Sequence, residues 1–191
     1  MTDKYAPPVG QAAWQVEDET EMVAAARRDL SAFSCLYDRY VQPIYHYLLS
    51  RMGSIPEAED ITAQTFLAAL EAFERYRHQG HFAAWLFSIA RNKTTDYYRS
   101  QRRQAPLAEA ERLPDASDLL QQAVSAERSA AVAQLLKTLP EDERELIRLR
   151  YVAELSFAEI GALLGRSEDT TKKSLYRLLA RLQALLEVNH E

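Results

Sequence analysis

Two short stretches of the sequence are dense in lysine and arginine. The stretch 91–103 holds five bases against one acid, Asp96, and the stretch 166–181 holds five bases against Glu168 and Asp169. Because these stretches carry +4 and +3 while the whole chain carries −5, the remaining residues carry −12. Cations concentrated in this way can bind phosphate even on an acidic protein. The pattern therefore favours a nucleic-acid partner, although a solvated helix face gives the same composition.

Patterns that support catalysis are missing from the sequence. It has no glycine-rich phosphate loop, no nucleophile elbow and no HExxH motif. His78 and His81 form an HxxH pair, but no third or fourth ligand lies nearby in the sequence. Cys35, the single cysteine, lies in an apolar helical run and is expected to be buried and inert. We therefore predict no enzymatic activity, no metal, no cofactor and no small-molecule substrate.

The elements that position the basic stretches are expected to be helices. Five glycines and seven prolines in 191 residues leave few turns for a sheet, whereas good helix formers are abundant. The first twenty residues lack the pattern of a signal peptide, and no apolar run is long enough to span a membrane. The sequence thus predicts an all-α, cytoplasmic protein that is not inserted in a membrane.

The helical pattern divides the chain into two small domains. We expect a loose arm over 1–18, a first domain over 19–103, a linker over 104–117 and a second domain over 118–191. The linker carries Pro106 and Pro114 among small and acidic residues, which have little to bury. Both basic stretches then fall at the ends of helical units, one in each domain.

Three helices are predicted within the first domain. Apolar residues recur at helical spacing from Phe33 to Leu48, where Pro43 is expected to kink or divide the helix and Gly53 to end it. A second helix should start at Pro56 and run to about Arg75. The third carries the first basic stretch, and its Trp85 is expected to belong to the core.

The second basic stretch follows a strong local signal for a helix-turn-helix. Ser156 and Glu159 fit a capping box, Gly165 can end that helix, and Ser167 can cap the next. The inner stripe of the second helix is predicted to hold Thr171, Leu175, Leu178, Leu179 and Leu182. Its outer face is predicted to hold Lys172, Lys173, Tyr176 and Arg177, near the half that enters a major groove. An ordinary helical hairpin would show the same pattern.

With these features the chain resembles a bacterial RNA polymerase sigma factor of the sigma-70 family, of the small extracytoplasmic-function (ECF) type. Sigma region 2 is resembled by FSCLYDRYVQPIYHYLLSRMG, PEAEDITAQTFLAALEAFERYR and FAAWLFSIARNKTTDYYRSQRR. Region 4 is resembled by LLKTLPEDERELIRLRYVAELSFAEIGALLGRSEDTTKKSLYRLLARL. The order and spacing of these blocks make the combination specific, and the length leaves no room for a sigma domain 3.

The resemblance implies an alternative sigma factor that binds core RNA polymerase, recognises the −10 and −35 elements of promoter DNA and assists strand opening. Family members are often held inactive by an anti-sigma factor. Core-polymerase binding is implied for Glu59, Asp60 and Gln64, with Phe66 as an apolar anchor. Contacts with −10 DNA are implied for Tyr76, Arg77, His78, Gln79, His81, Arg91, Asn92, Lys93, Asp96 and Arg99. Contacts with −35 DNA are implied for Lys172, Lys173, Ser174, Tyr176 and Arg177.

Two positions of the second helix depart from the family. Relatives usually have a small apolar residue in place of Thr171 and commonly an arginine in place of Ser174, so base preference at −35 cannot be copied. The main alternative is a stand-alone helix-turn-helix regulator whose first domain senses a ligand or dimerises. A third possibility is a helical adaptor whose basic stretches remain solvated.

Overall fold

The computed structural model describes residues 16–77, 81–104 and 126–188, and these residues contain helices and no strand. The α-helices are α1 (Val16–Arg28), α2 (Phe33–Met52), α3 (Ile55–Ala72), α4 (Phe82–Gln104), α5 (Ala126–Lys137), α6 (Glu141–Ile147), α7 (Phe157–Leu164) and α8 (Glu168–Val188). Single 3₁₀ turns occupy Leu30–Ala32 and Phe73–Arg75, and Arg148–Val152 form a π-helical turn. The all-α prediction is confirmed. Of the arm expected over 1–18, residues 16–18 belong to α1 instead, because that helix starts at Val16. The rest of the arm, the linker beyond Gln104 and the domain start near Asp118 lie outside the described residues.

Helix α2 runs through Pro43 without interruption, so the prediction that this proline divides the helix is wrong. Pro43 lacks one backbone N–H, but Tyr40, Ile44 and Tyr47 around it are buried. Burial of that face stabilises the helix on both sides of the proline, because tertiary packing contributes most of a helix's stability. Gly53 ends the helix as predicted, with φ 71° and its N–H donated to the Leu49 carbonyl at 2.9 Å.

The first domain is built around aromatic side chains from α2, the 3₁₀ turn Phe73–Arg75, the loop after that turn and α4. Rings of Tyr40, Phe73, Tyr76 and Phe82 lie 5.5–6.3 Å apart, centroid to centroid, in edge, tilted or stacked contacts. Such contacts add to the free energy gained by burying the rings. The start of α4 is fixed within this cluster, which places the first basic stretch.

Glu19 of α1 holds the start of α4. Its buried carboxylate accepts hydrogen bonds from the backbone N–H of Phe82 at 2.8 Å and of Ala83 at 3.3 Å. It also accepts a hydrogen bond from the Tyr40 hydroxyl. The first N–H groups of a helix have no partner within the helix, and a carboxylate there also favours the helix dipole. An acid 63 positions away thus caps the helix that carries the first basic stretch.

The turn of the second domain has the predicted local structure. Ser156 and Glu159 form both hydrogen bonds of the capping box, at 3.2 and 2.7 Å. Gly165 ends α7 with φ 67°, and the Ser167 hydroxyl accepts a hydrogen bond from the Thr170 N–H at 3.2 Å. Helices α7 and α8 therefore meet across a short turn, as a helix-turn-helix requires.

The two domains are in contact. Helix α4 packs against α7, and α2 packs against the π-helical turn Arg148–Val152. Buried apolar residues of both domains, from Val23 to Leu182, form a continuous cluster. Within the described parts of the chain, no helix is long and apolar enough to cross a membrane.

Candidate nucleic-acid interface

Helix α8 turns one face inward and leaves its cations outside, as predicted. Thr171, Leu175, Leu178 and Leu182 are buried, and Leu179 is half-buried. Lys172, Lys173 and Arg177 are exposed, whereas Ser174 and Tyr176 are half-buried. The ammonium group of Lys172 lies 5.7 Å from the centre of the Tyr176 ring, and Lys173 pairs with Asp169 at 2.6 Å. The N-terminal half of α8 thus presents a cationic surface that a DNA groove can receive.

Gly161 sets the distance between α7 and α8. A Cβ atom at this position would lie 2.7 Å from the Arg166 carbonyl oxygen and 3.3 Å from the Glu168 nitrogen. Since both neighbours are backbone atoms, they cannot rotate away as a side chain would. Only glycine therefore allows the start of α8 to lie this close to α7.

On α4, the structure separates the predicted residues into two groups. Asn92, Asp96 and Arg99 are exposed, and Lys93 is half-buried. Arg91 turns toward the second domain, where its Nε lies 3.0 Å from Oε1 of Glu145. The resemblance implies −10 DNA contacts for all five residues, but the domain contact brings the Arg91 side chain to Glu145.

Glu145 of α6 is a buried residue at the domain contact that the sequence did not single out. It is buried, and its Oε1 accepts hydrogen bonds from the Tyr47 hydroxyl at 2.7 Å and from Arg51 at 3.0 Å. Burial and the charge of Glu145 raise the pKa of Tyr47 well above its usual range, so this hydroxyl stays a donor. The sequence offers no signal for this contact, because Glu145 lies more than 90 positions from both Tyr47 and Arg51.

The loop before α4 is partly described. Tyr76 is buried, Arg77 is exposed and His81 is half-buried, whereas His78 and Gln79 lie outside the described residues. The Tyr76 ring lies 4.5 Å from the Trp85 ring, and burial raises the pKa of Tyr76 to about 12. The Tyr76 carbonyl accepts a hydrogen bond from Arg27. These contacts fix the first part of the loop against the domain.

A cavity of about 480 Å³ opens beside this loop. Its walls include Tyr76, His81 and Trp85 of the first domain and Ala162 and Leu163 of α7. Trp85, which was expected to belong to the core, packs against the core as a half-buried side chain and also lines this cavity. Its ring lies 4.5 Å from the Tyr76 ring and 5.4 Å from the Phe82 ring, and the side chain also lines the cavity.

The acidic face of α3 is exposed, with one correction. Glu59, Asp60 and Gln64 are exposed, and the Gln64 amide donates a hydrogen bond to Asp60 at 2.8 Å. Phe66 is only 6% exposed, so it cannot be an anchor for a partner in this structure. Its ring lies 4.8 Å from the ring of Tyr37 on α2. The neighbouring Leu67 is 60% exposed and offers the apolar surface that was expected of Phe66.

Cys35 is exposed on α2, contrary to the expectation of a buried thiol. Leu36, the next residue, occupies the buried stripe instead. No group of three His, Cys, Asp or Glu side chains lies in position to hold a metal ion among residues 16–77, 81–104 and 126–188.

Comparisons with known proteins match both domains. Residues 36–104 match the family Sigma-70 region 2, and residues 129–182 match Sigma-70, region 4. The ECF RNA polymerase sigma factor BldN of Streptomyces coelicolor is 34% identical over 176 residues, which cover 87% of this chain and 65% of BldN. The ECF RNA polymerase sigma factor SigW of Bacillus subtilis is 31% identical over 160 residues, which cover 78% of this chain and 86% of SigW.

Solved structures give the same result for the fold. CnrH, in complex with the cytosolic domain of CnrY, superposes with a TM-score of 0.62 at 28% identity, over 88% of this chain and 96% of CnrH. The sigma factor RpoE of Bartonella quintana, in complex with the anti-sigma factor NepR, gives 0.63 at 24% identity, over 82% of this chain and 97% of RpoE.

Proposed function

Because this chain belongs to the sigma-70 family, as an ECF-type alternative sigma factor that directs transcription initiation, we propose how its two domains divide the work. The second domain reads the −35 element through α8. The first domain binds core RNA polymerase through α3 and opens the −10 element with α4 and the loop before it. The observation that best supports this proposal is the exposed cationic half of α8, which is held against α7 by the close contact at Gly161.

At the −35 element, Lys172 and Arg177 contact base edges or phosphates in the major groove. Both side chains are exposed, and Thr171 and Leu175 beneath them are buried, which fixes their direction. Lys173 and Ser174 add contacts to the backbone, and Tyr176 supports Lys172 through its ring. A lysine acts as a point charge, so Lys172 gives less base discrimination than an arginine fork would.

At the −10 element, the cavity beside Tyr76 and Trp85 receives an unstacked base. Separating a base from the duplex costs stacking energy, and a pocket with aromatic walls recovers it. Arg77 and His81 also line this cavity, and His78 and Gln79 lie between them in the sequence. Asn92, Lys93, Asp96 and Arg99 follow along α4 and contact the strand that leaves the pocket, with Arg91 at its start.

Core polymerase binds the exposed face of α3. Glu59 and Asp60 supply negative charge, Gln64 supplies an amide, and Leu67 supplies the apolar contact. An interface of this kind combines charge steering with one buried apolar contact. The function is therefore binding and positioning rather than catalysis.

An anti-sigma factor is the further partner that we propose. CnrH, which shares 28% of its residues with this chain, was solved with the cytosolic domain of CnrY. The exposed apolar side chains Leu67 and Leu70 of α3 offer surface to such a protein. Competition between the partner and core polymerase for this face would keep the chain from transcription.

Transcription in vitro tests the proposed function. Purified chain and core RNA polymerase are incubated with genomic DNA fragments, and the start sites of new transcripts are mapped. We expect transcripts that require both proteins. Specific duplex binding by the chain alone, without any new start sites, would instead support the stand-alone regulator.

Charge reversal on α3 tests the polymerase contact. Asp60→Lys with Gln64→Ala is expected to abolish co-purification with core polymerase while helicity by circular dichroism is unchanged. Glu21→Lys, at an exposed position of α1, is the matched control and should retain co-purification. If the double variant still co-purifies like the parent protein, α3 is not the contact.

A further inference from the structure

The contact between the two domains centres on one carboxylate and two guanidinium groups. Glu145 comes from α6 of the second domain, whereas Arg51 and Arg91 come from α2 and α4 of the first. The Tyr47 hydroxyl completes the group: it accepts a hydrogen bond from Arg51 at 2.8 Å and donates one to Glu145 at 2.7 Å. Three groups of the first domain thus converge on a single oxygen, Oε1.

The fit of Glu145 to this group is incomplete. Its buried Oε2 makes no hydrogen bond with the residues that the structure describes, and Arg148 of its own domain lies 3.7 Å away. The Nε of Arg91 lies at ion-pair distance but is not directed to donate a hydrogen bond. A buried carboxylate with an unsatisfied oxygen retains part of its desolvation cost. The first domain therefore offers more positive charge and more donors than this carboxylate uses.

A phosphodiester would use these groups more fully. It presents two unesterified oxygens, and guanidinium groups pair with phosphate through parallel hydrogen bonds. Arg91 already belongs to the residues that the resemblance assigns to −10 DNA. Arg51 lies beside α4, since the Tyr98 hydroxyl of that helix lies 3.5 Å from the Arg51 carbonyl oxygen. The cluster therefore adjoins the proposed path of the opened strand.

The same domain contact also forms one side of the proposed base pocket. Ala162 and Leu163 of α7 form one wall of the cavity that Tyr76 and Trp85 line from the other side. A strand entering this cavity would meet α7, and its backbone would meet Glu145. Both the pocket and the cationic cluster are covered by the second domain in this arrangement.

From these contacts we propose that Arg51, Arg91 and the Tyr47 hydroxyl form a phosphate site for the single-stranded promoter backbone, and that Glu145 occupies this site as an internal competitor. The proposal rests on the proposed function, which it deepens by naming Arg51 and Tyr47 as further DNA-binding residues. While the domains are in contact, Glu145 neutralises the site. When the domains separate, the strand replaces the carboxylate.

The test uses the full chain and a short, labelled single-stranded DNA oligonucleotide, with binding followed by fluorescence anisotropy. Glu145→Gln keeps the shape of the side chain and removes its charge. It is expected to tighten binding by roughly tenfold, because more of the chain has an open site, and to raise the radius of gyration in small-angle scattering. Circular dichroism confirms that the variant is folded.

Three further variants separate this effect from a change of net charge. Glu141→Gln removes the same charge from the same helix, where Glu141 pairs with Arg144 and Arg148 of its own domain. It is expected to leave binding and the radius of gyration close to those of the parent. Adding Arg51→Gln to Glu145→Gln should remove most of the gain, whereas adding Arg28→Gln, at an exposed position of α1, should retain it.

Three results would overturn the proposal. Equal effects of Glu145→Gln and Glu141→Gln would mean that the net charge of the chain, and not this site, determines oligonucleotide binding. If Glu145→Gln raises the radius of gyration without tightening oligonucleotide binding, the cluster is a structural ion pair only. Complete displacement of the oligonucleotide by millimolar inorganic phosphate, at matched ionic strength, would assign the site to a free anion. Transcription by the parent protein with core polymerase is measured separately, so that failure of the proposed function is distinguished from failure of this site.

Discussion

The two basic stretches of this protein have similar charge and different surroundings. On α8, Lys172 and Arg177 extend from a helix whose inner face alone is buried, so they are exposed. On α4, Arg91 is held against Glu145 of the other domain, and the cavity near the helix start is walled by α7. One DNA-facing surface is therefore accessible in this arrangement, while the other is partly covered. Similar charge in the sequence does not give equal access in the structure.

The two domains also differ in the sequence distance between the DNA-facing helix and the residues that hold it in place. The turn before α8 is built by Ser156, Gly161 and Gly165, all within about a dozen positions of the helix. The start of α4 depends on Glu19, which is 63 positions away, and its contact with the second domain depends on Glu145. Changes to the second domain's reading helix should thus act locally, whereas α4 should respond to distant substitutions.

The largest effect is expected at Glu19. Glu19→Ala leaves the N–H groups of Phe82 and Ala83 and the hydroxyl of Tyr40 without their acceptor. The free energy of unfolding of the first domain should fall by about 3 kcal/mol, since unsatisfied buried donors are costly. Urea denaturation followed by circular dichroism measures the loss. The control is Glu21→Ala, an exposed neighbour on α1, which should change little. Equal losses would show that α4 does not depend on this distant cap.

A smaller effect of unusual sign is expected at Gly161. Replacing glycine by alanine within a helix normally stabilises it by about 1 kcal/mol. Here Gly161→Ala should lower the free energy of unfolding by about 2 kcal/mol, because the new Cβ meets backbone atoms of the turn. The reverse exchange at an exposed site of α8, Ala184→Gly, should cost about 1 kcal/mol. Thermal denaturation of both variants gives the comparison. A stabilised Gly161→Ala protein would contradict the close contact between α7 and α8.

Binding of the −35 element should depend on the cations of α8 individually. Lys172→Ala or Arg177→Ala should weaken holoenzyme binding to a promoter fragment by about tenfold, or about 1.4 kcal/mol. The fragment is one recovered in the transcription assay, and the control is Lys137→Ala on α5. A residue that contacts only phosphate should also reduce the salt slope by about one unit. Unchanged affinity for both variants would remove α8 as the reading helix.

The smallest effect compares two helix starts, one in each domain. Ser156 caps α7 with its hydroxyl, whereas Ser54 at the start of α3 makes no capping hydrogen bond with its side chain. Ser156→Ala should therefore cost about 1 kcal/mol, and Ser54→Ala distinctly less. Chemical denaturation of the two variants measures the difference. Equal costs would mean that the capping box is not what supports the turn.

Local signals explain what the sequence could predict. The capping box of Ser156, the left-handed Gly165 and the inner stripe of α8 follow from nearest neighbours and periodicity, and the structure has all of them. Phe66 and Leu67 show where such reasoning fails. They are adjacent, both apolar and about 100° apart on the helix, so the pattern alone cannot decide which one faces the core.

Side-chain partners from distant parts of the chain were beyond prediction. Glu19 and Glu145 are acids on amphipathic helices, and an acid on such a helix is ordinarily a surface residue. Their burial depends on which helices meet, and this depends on the whole fold. Arg91 illustrates the consequence. The composition of the basic stretch around it indicated phosphate binding, whereas its neighbour in space is the carboxylate of Glu145.

The exposed thiol of Cys35 gives this protein a single site for thiol-specific labelling. The sequence holds no other cysteine, so a maleimide dye or a surface tether would attach once per molecule, on α2 of the first domain. Oxidation in storage would likewise join two copies through that helix only, while the reading surface of α8 stays outside the crosslink. A reductant, or the substitution Cys35→Ser, prevents this disulfide crosslink between two copies.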